Sequence, residues 1–233
     1  MLLVKRLHRC FNAIKFIFFP IQCISCNELL HEYEHILCMD CKLSFPYTND
    51  YADNPVQLRL SGRIQIAHAL ALAHFYKNGM LQILLHEYKY RGNLTIGAFL
   101  AKELAHRLTQ QSWIHEIDAI SFVPLHEIKL KERGFDQASF IAQQIAQELK
   151  IPLVLLLRRI ANTASQTHKD RLARLENMKD AFEMIDTIGG SYKHILILDD
   201  VLTTGATLEA CVHALNKNQL CKVSIATIGV AMD

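Results

Sequence analysis

The chain has 233 residues, 51% of them hydrophobic and 21% charged, with a formal net charge of +2. That supports a sizeable buried core, in one large domain or in a main domain with a small module. So small a net charge gives no overall signature of a nucleic-acid binder, although local patches count for more than totals in such contacts.

Residues 1–21 read as one amphipathic helix. Leu3, Leu7, Phe11, Ile14 and Phe18 recur at three- and four-residue spacing, Lys5, Arg6, Arg9 and Lys15 fall largely elsewhere, and Pro20 ends it. Such a helix either packs on the rest of the protein or lies against a membrane surface or a partner. Its apolar run Phe16–Ile21 contains Pro20 and lacks a small-residue cleavage site. That run is also far below the ~20 apolar residues that span a bilayer. The expectation is a cytoplasmic chain, with peripheral contact at the inner face of the cytoplasmic membrane through residues 1–21 as an open alternative.

Residues 22–60 carry cysteines and many turn formers, and read as a small module with a linker. Cys23-x-x-Cys26 and Cys38-x-x-Cys41 are separated by eleven residues. Four thiolates so spaced reach the corners of a tetrahedron, the arrangement of a closed structural zinc site. A module with little core would draw much of its folding energy from that ion. A redox pair or an iron–sulfur cluster is the competing reading. Cys10, Cys211 and Cys221 follow no pairing pattern and are expected as packing residues.

From Ser61 the texture changes, and residues 61–233 read as the main domain. Arg63–Tyr76 alternates in places like a strand, Met80–Tyr90 looks helical, and Arg91-Gly92-Asn93 breaks that helix before a second one at Leu94–Gln111. Then follow strand Ala119–Val123, helix Gln137–Leu149, strands Leu153–Leu157 and Ile195–Leu198, helix Thr207–Lys217 and strand Val223–Gly229. Short apolar strands separated by amphipathic helices predict an α/β fold, a mostly parallel sheet with helices on both faces. Ligands of such sheets sit at the C-terminal ends of the strands.

The most informative segment is Ile195-Leu-Ile-Leu-Asp-Asp-Val-Leu-Thr-Thr-Gly-Ala-Thr207. A buried strand delivers Asp199 and Asp200 to the sheet edge, where two carboxylates suit vicinal hydroxyls with a divalent cation nearby. Gly205 permits a tight loop. The N–H groups of Thr203, Thr204, Gly205, Ala206 and Thr207, at the start of a helix, can cradle a phosphate, and the threonine hydroxyls add donors. A Walker B strand would look similar, but the sequence has no G-x-x-x-x-G-K-[ST] loop to go with it. Simple helix capping explains one acid and leaves the threonines unexplained.

Two basic segments accompany it. The loop after Ala119–Val123 carries Lys129, Lys131 and Arg133, enough to hold a pyrophosphate, or else to form a solvated basic loop. Arg158–Lys179 is long, polar and crowded with Arg158, Arg159, Lys169, Arg171 and Arg174. It reads either as a hood closing over the site or as a surface helix with salt bridges.

The 195–207 segment resembles the PRPP-binding signature of type I phosphoribosyltransferases. By that resemblance Asp199 and Asp200 contact the ribose hydroxyls and Thr203 to Thr207 bind the 5-phosphate. Val123-Pro124-Leu125-His126 with Arg133-Gly134-Phe135-Asp136-Gln137-Ala138 resembles a paired motif of the ComF (ComFC/GntX) family. So do Tyr88-Lys89-Tyr90-Arg91-Gly92, Gln166, Arg174, Asn177 and Ala181-Phe182. With the cysteines, the resemblance covers nearly the whole chain in order. Asp136 departs from it, since the family usually has Asn there, and Asp suits a helix N-cap equally well.

The resemblance implies a PRPP-binding protein of natural competence that helps imported single-stranded DNA into the cytoplasm beside a helicase-like partner. The alternative is an active phosphoribosyltransferase using PRPP with Mg²⁺, whose acceptor the sequence does not name. In it Lys129, Arg133 and Arg174 would stabilise leaving pyrophosphate, while the acid pair and phosphate loop fix the sugar. A third reading is a sensor that binds PRPP without turnover.

Overall fold

The structure is a computed structural model that describes residues 21–49, 54–160, 181–185, 192–218 and 221–232. The helix expected at residues 1–21 lies, but for Ile21, outside the described residues, as do Gln166, Arg174 and Asn177. Among the described residues no helix is long and apolar enough to cross a membrane. The chain forms two compact units that divide between Phe45 and Pro46.

In the first unit a turn at Cys23–Cys26 is closed by an antiparallel bridge between Gln22 and Leu29. Asn27 takes a positive φ of 63° at its end, a conformation asparagine tolerates better than most residues. Helix α1 (Met39–Leu43) starts from Cys38. The Glu34 carboxylate accepts the His31 N–H at 2.7 Å and the Met39 N–H at 2.6 Å, pinning the intervening loop. Leu30, Ile36, Leu37 and Phe45 supply the apolar interior with Cys23 and Cys41.

The second unit takes in residues 46–60, which the sequence reads as part of the module with its linker. Helix α2 (Pro55–Leu60) begins with proline, and the Asn54 side chain accepts the N–H groups of Val56 and Gln57. Val56 and Leu60 are fully buried in the main core, which is why this helix belongs here.

Four parallel strands make the sheet in the order β1–β6–β5–β2: β1 (Ala69–Phe75), β2 (Ala119–Phe122), β5 (His194–Leu202) and β6 (Lys222–Ala231). Helices α3 (Met80–Arg91) and α4 (Leu94–Thr109) pack on β1, and α6 (Gln137–Leu149) packs on α4, β2 and β5. Short α5 (Glu127–Arg133) lies between β2 and α6 in the chain. The opposite face carries α7 (Ala206–Asn218), α2 and an antiparallel ribbon of β3 (Leu157–Arg159) with β4 (Phe182–Met184). There Ile195 and Ile197 of β5 meet Val223 and Ile225 of β6, Leu208, Cys211 and Leu215 of α7, and Leu157 and Phe182. Side chains alternate across a strand, so Leu196 and Leu198 face the α6 side.

Two strand expectations are corrected. Leu153–Leu157 is not a sheet strand: Leu153 makes one parallel bridge to Ile120, and the chain then leaves to pair Leu157–Arg159 with Phe182–Met184. Leu153 and Leu155 are exposed while Leu156 and Leu157 are buried, so only half of the apolar run has a core to enter. Strand β5 does not stop at Leu198. It pairs with β6 as far as Leu202, whereas β2 ends opposite Leu198.

Candidate functional site

Because β5 outruns β2, its last residues stand at the C-terminal edge of the sheet with pairing on one side only. Asp199 and Asp200 are therefore strand residues, and successive strand residues point to opposite faces. Asp199 shares the face of Ile195 and Ile197, that of α7, where Arg159 and Cys211 are its electrostatic neighbours. Asp200 turns to the α3 side and forms an ion pair with the Lys89 ammonium, both groups mostly shielded from solvent. The sequence suggested two carboxylates side by side on one sugar; the strand places them astride the sheet.

Burial acts on the charge state of Asp199. Burial, and next the Asp200 charge, push the Asp199 carboxyl up to about 8. The Asp200 N–H, donated to Asp199 Oδ1 at 2.8 Å, and the charges of Lys89 and Arg159 only partly offset this. Near neutral pH Asp199 is thus largely a neutral acid able to donate a hydrogen bond. Arg159 is itself lowered by burial, stacks over the Phe182 ring at 5.4 Å, and feels the Asp199 charge.

The loop Thr203–Gly205 leads directly into α7, which starts at Ala206. Gly205 has φ +84°, and a Cβ there would stand 2.7 Å from Leu60 Cδ2. Glycine is needed here both for its conformation and for room. Thr204 Oγ1 lies 3.5 Å from the Ala206 N–H, and the Glu209 N–H donates to the Gly205 carbonyl at 2.9 Å, closing the first turn. Thr203 and Thr204 are exposed and Thr207 half-buried.

The loop is anchored from α2. Arg59 Nη1 donates to the Thr203 carbonyl at 2.5 Å, Arg63 Nη1 donates to the Thr204 carbonyl, and Arg63 Nη2 pairs with Glu209 at 2.5 Å. Sequence reading missed Arg59 and Arg63, whose partners lie more than a hundred residues away. It also gave no role to Lys89, although Lys89 stands inside the Tyr88–Gly92 motif, and it gave Arg159 a role only as part of the hood.

Beside β5, the turn Val123–His126 leads to α5, where His126 Nδ1 accepts the Ile128 N–H at 3.3 Å. Lys129 is half-buried on α5 and Arg133 is its last residue. Among the described residues Lys129 makes no ion pair with either acid; its helix follows β2, the strand that pairs in parallel with β5. Asp136 is committed to structure: Oδ1 accepts the Ser139 N–H and Oδ2 the Leu125 N–H, both at 3.0 Å. Its carboxylate therefore ties the turn after β2 to the start of α6. Buried Tyr88, whose hydroxyl donates to the Gln137 carbonyl at 2.8 Å, is pressed against Gly97. Burial, and next the charges of Asp136 and Asp200, raise its pKa.

In the first unit the sulfurs of Cys23, Cys26, Cys38 and Cys41 all lie within 4.8 Å of one another, with Cys26 and Cys38 at 3.6 Å. Metal–sulfur bonds of about 2.3 Å in a tetrahedron put sulfurs about 3.8 Å apart, so the cluster has the dimensions of a single tetrahedral metal site. Burial opposes ionisation of Cys23, yet the N–H groups of Cys26, Cys38 and Ser25 take it down to about 6. Burial, then the neighbouring thiols, push Cys41 up to about 12. A metal ion resolves such a contrast by ionising every ligand it binds.

Comparison with known proteins gives a match of residues 136–229 to the phosphoribosyl transferase domain family. The chain is 28% identical over 214 residues to competence protein F of Haemophilus influenzae, covering 86% of this chain and 93% of that one. It is 30% identical over 149 residues to the DNA utilization protein YhgH of Salmonella typhimurium, covering 62% of this chain and 65% of that protein. To competence protein ComFC of Bacillus subtilis it is 27% identical over 154 residues, 65% of this chain and 60% of that one.

Proposed function

The chain belongs to the ComF family of phosphoribosyltransferase-like proteins, and from that premise we propose that it binds PRPP at the C-terminal edge of β5 and serves natural competence by handling imported single-stranded DNA in the cytoplasm. The observation that carries the reading is the loop Thr203–Thr207, a glycine-centred turn opening a helix directly after two acids. Its N–H groups and threonine hydroxyls suit the 5-phosphate. Asp199, as a neutral acid, donates to a ribose oxygen, and Asp200 accepts from a hydroxyl on the other face.

Magnesium arriving with pyrophosphate fits this donor set, since that ion binds through one or two carboxylates plus substrate phosphates. Asp200, now held by Lys89, is the residue to hold it, and the ion would offset the charge of the pyrophosphate. Lys129 and Arg133, on the helix that follows the adjacent strand, would meet the same charge. Arg174 is the cation proposed to close the site from the polar stretch after β3. The four cysteines hold zinc as a structural ion; thiolate ligands in a closed set leave it no position for substrate.

Relatives named for competence and for DNA utilization support the cellular role. A second reading, turnover of PRPP with an acceptor, is favoured by a basic helix at the edge where a leaving pyrophosphate needs charge.

Calorimetry of PRPP with Mg²⁺ tests the first reading: wild type binds, and Asp199→Ala/Asp200→Ala does not. Equal binding by both proteins, or by neither, removes the ribose-phosphate site. Single-stranded DNA binding is expected to weaken steeply with salt and to survive loss of the two acids. Salt-independent binding would rule out phosphate contacts, and pyrophosphate release measures turnover.

A further inference from the structure

We propose that Arg59 and Arg63 are positioning residues of the phosphate loop, holding it in the conformation that presents the Thr204 and Gly205 N–H groups to a phosphate monoester. The inference rests on the reading above that this loop takes a ribose 5-phosphate. In a planar trans peptide the carbonyl and the following N–H point in opposite directions. The guanidinium of Arg59 holds the Thr203 carbonyl and that of Arg63 holds the Thr204 carbonyl. The N–H groups across those two peptides, of Thr204 and Gly205, are therefore turned away from α2. Among the described residues neither N–H donates to an acceptor, and unpaired backbone donors are what an anion recruits.

The clamp is built, rather than a chance meeting of long side chains. Arg59 stands in the last turn of α2, Arg63 follows in the turn after it, and Leu60 between them is fully buried with its Cδ2 against Gly205. Glu209, in the first turn of α7, fixes Arg63 by its carboxylate and fixes Gly205 by its own N–H. Arg63, Glu209 and the loop thus close a ring of contacts around the glycine. Guanidinium suits this task because its donors are rigid and planar, where an ammonium offers only a point charge.

Calorimetric titration of the full chain with ribose 5-phosphate and, separately, with magnesium pyrophosphate tests the assignment. Arg59→Gln/Arg63→Gln is expected to weaken ribose 5-phosphate binding by about 10-fold for each charged hydrogen bond lost. Pyrophosphate binding stays at the wild-type level, and Arg59→Lys/Arg63→Lys regains part of the loss. A glutamine variant that binds ribose 5-phosphate like wild type overturns the proposal. So does one that loses both ligands alike, since that marks general support of the fold. Should the double variant not fold, amide resonances of the wild type decide: those of Thr204 and Gly205 shift on adding ribose 5-phosphate, and unmoved amides overturn the clamp. A wild type that takes no ribose 5-phosphate sinks the phosphate-site reading itself, and the clamp with it.

Discussion

Asp199 couples the stability of this protein to pH. Its carboxyl keeps its proton up to about 8 in the fold, against 3.8 ordinarily. The native state thus binds more protons than the unfolded chain between those values. The associated stability is full below pH 3.8 and is lost as pH rises through 8. Asp199→Asn should remove this alkaline loss: its melting temperature at pH 8 exceeds that of wild type, and the gap closes toward pH 4. A constant gap at every pH would show that ionisation plays no part. His68 and His194 act in the other direction. Burial lowers both, and the stability of their neutral forms, present above pH 6.5, is lost on acidification. Wild type should therefore melt highest at mildly acidic pH. Gly205→Ala meets two penalties, a left-handed φ and a collision with Leu60. Gly62 shares the positive φ, at +75°, but has nothing within 4 Å of an added Cβ. Gly62→Ala should cost about 1–2 kcal/mol from strain alone. Gly205→Ala should cost more and abolish PRPP binding, as paired melting and binding curves would establish.

At the scale of elements, the carboxylate of Asp136 joins two of them. Asp136→Ala removes the α6 cap and the tie to Leu125, and should cost about 1–2 kcal/mol. Asp136→Asn keeps one acceptor oxygen and should fall between, as denaturant midpoints would show; equal midpoints for the two variants would deny the tie a role. Helix α6 was readable residue for residue, because its apolar period runs between a capping acid and Lys150, which ends it at φ +56°. Leu153–Leu157 was misread because an apolar run looks alike whether a sheet covers both its faces or a core takes only half of it. The turn at Thr203–Gly205 opening a helix and the gathering of four thiols were legible, since each is local in sequence. What surrounds the loop was not. The contacts of Arg59 with Thr203, Arg63 with Thr204 and Lys89 with Asp200 exist only after distant segments have packed. The opposed orientation of the acids needed the knowledge that β5 continues to Leu202.

At the scale of the whole molecule, the division between Phe45 and Pro46 separates two sources of stability. The second unit has a sheet core of fully buried Leu, Ile and Val residues, whereas among the described residues of the first a few buried apolar side chains gather around four sulfurs. If the four cysteines hold a metal as proposed, a chelator should unfold residues 22–45 and leave amide protection in β1, β5 and β6 unchanged. Loss of protection in the sheet on adding chelator would mean that the units fold as one. The sheet itself ends on both sides with a single crossing of irregular chain. Tyr47 bridges Ala73 on the outer side of β1, and Leu153 bridges Ile120 on the outer side of β2. Those crossings occupy the Leu72 carbonyl and His74 N–H on one flank, and both backbone groups of Ile120 on the other. Among the described residues these crossings interrupt the row of donors and acceptors that a further strand would need to continue. Capped in this way on both flanks, the sheet leaves recognition of another molecule to side chains rather than to backbone pairing.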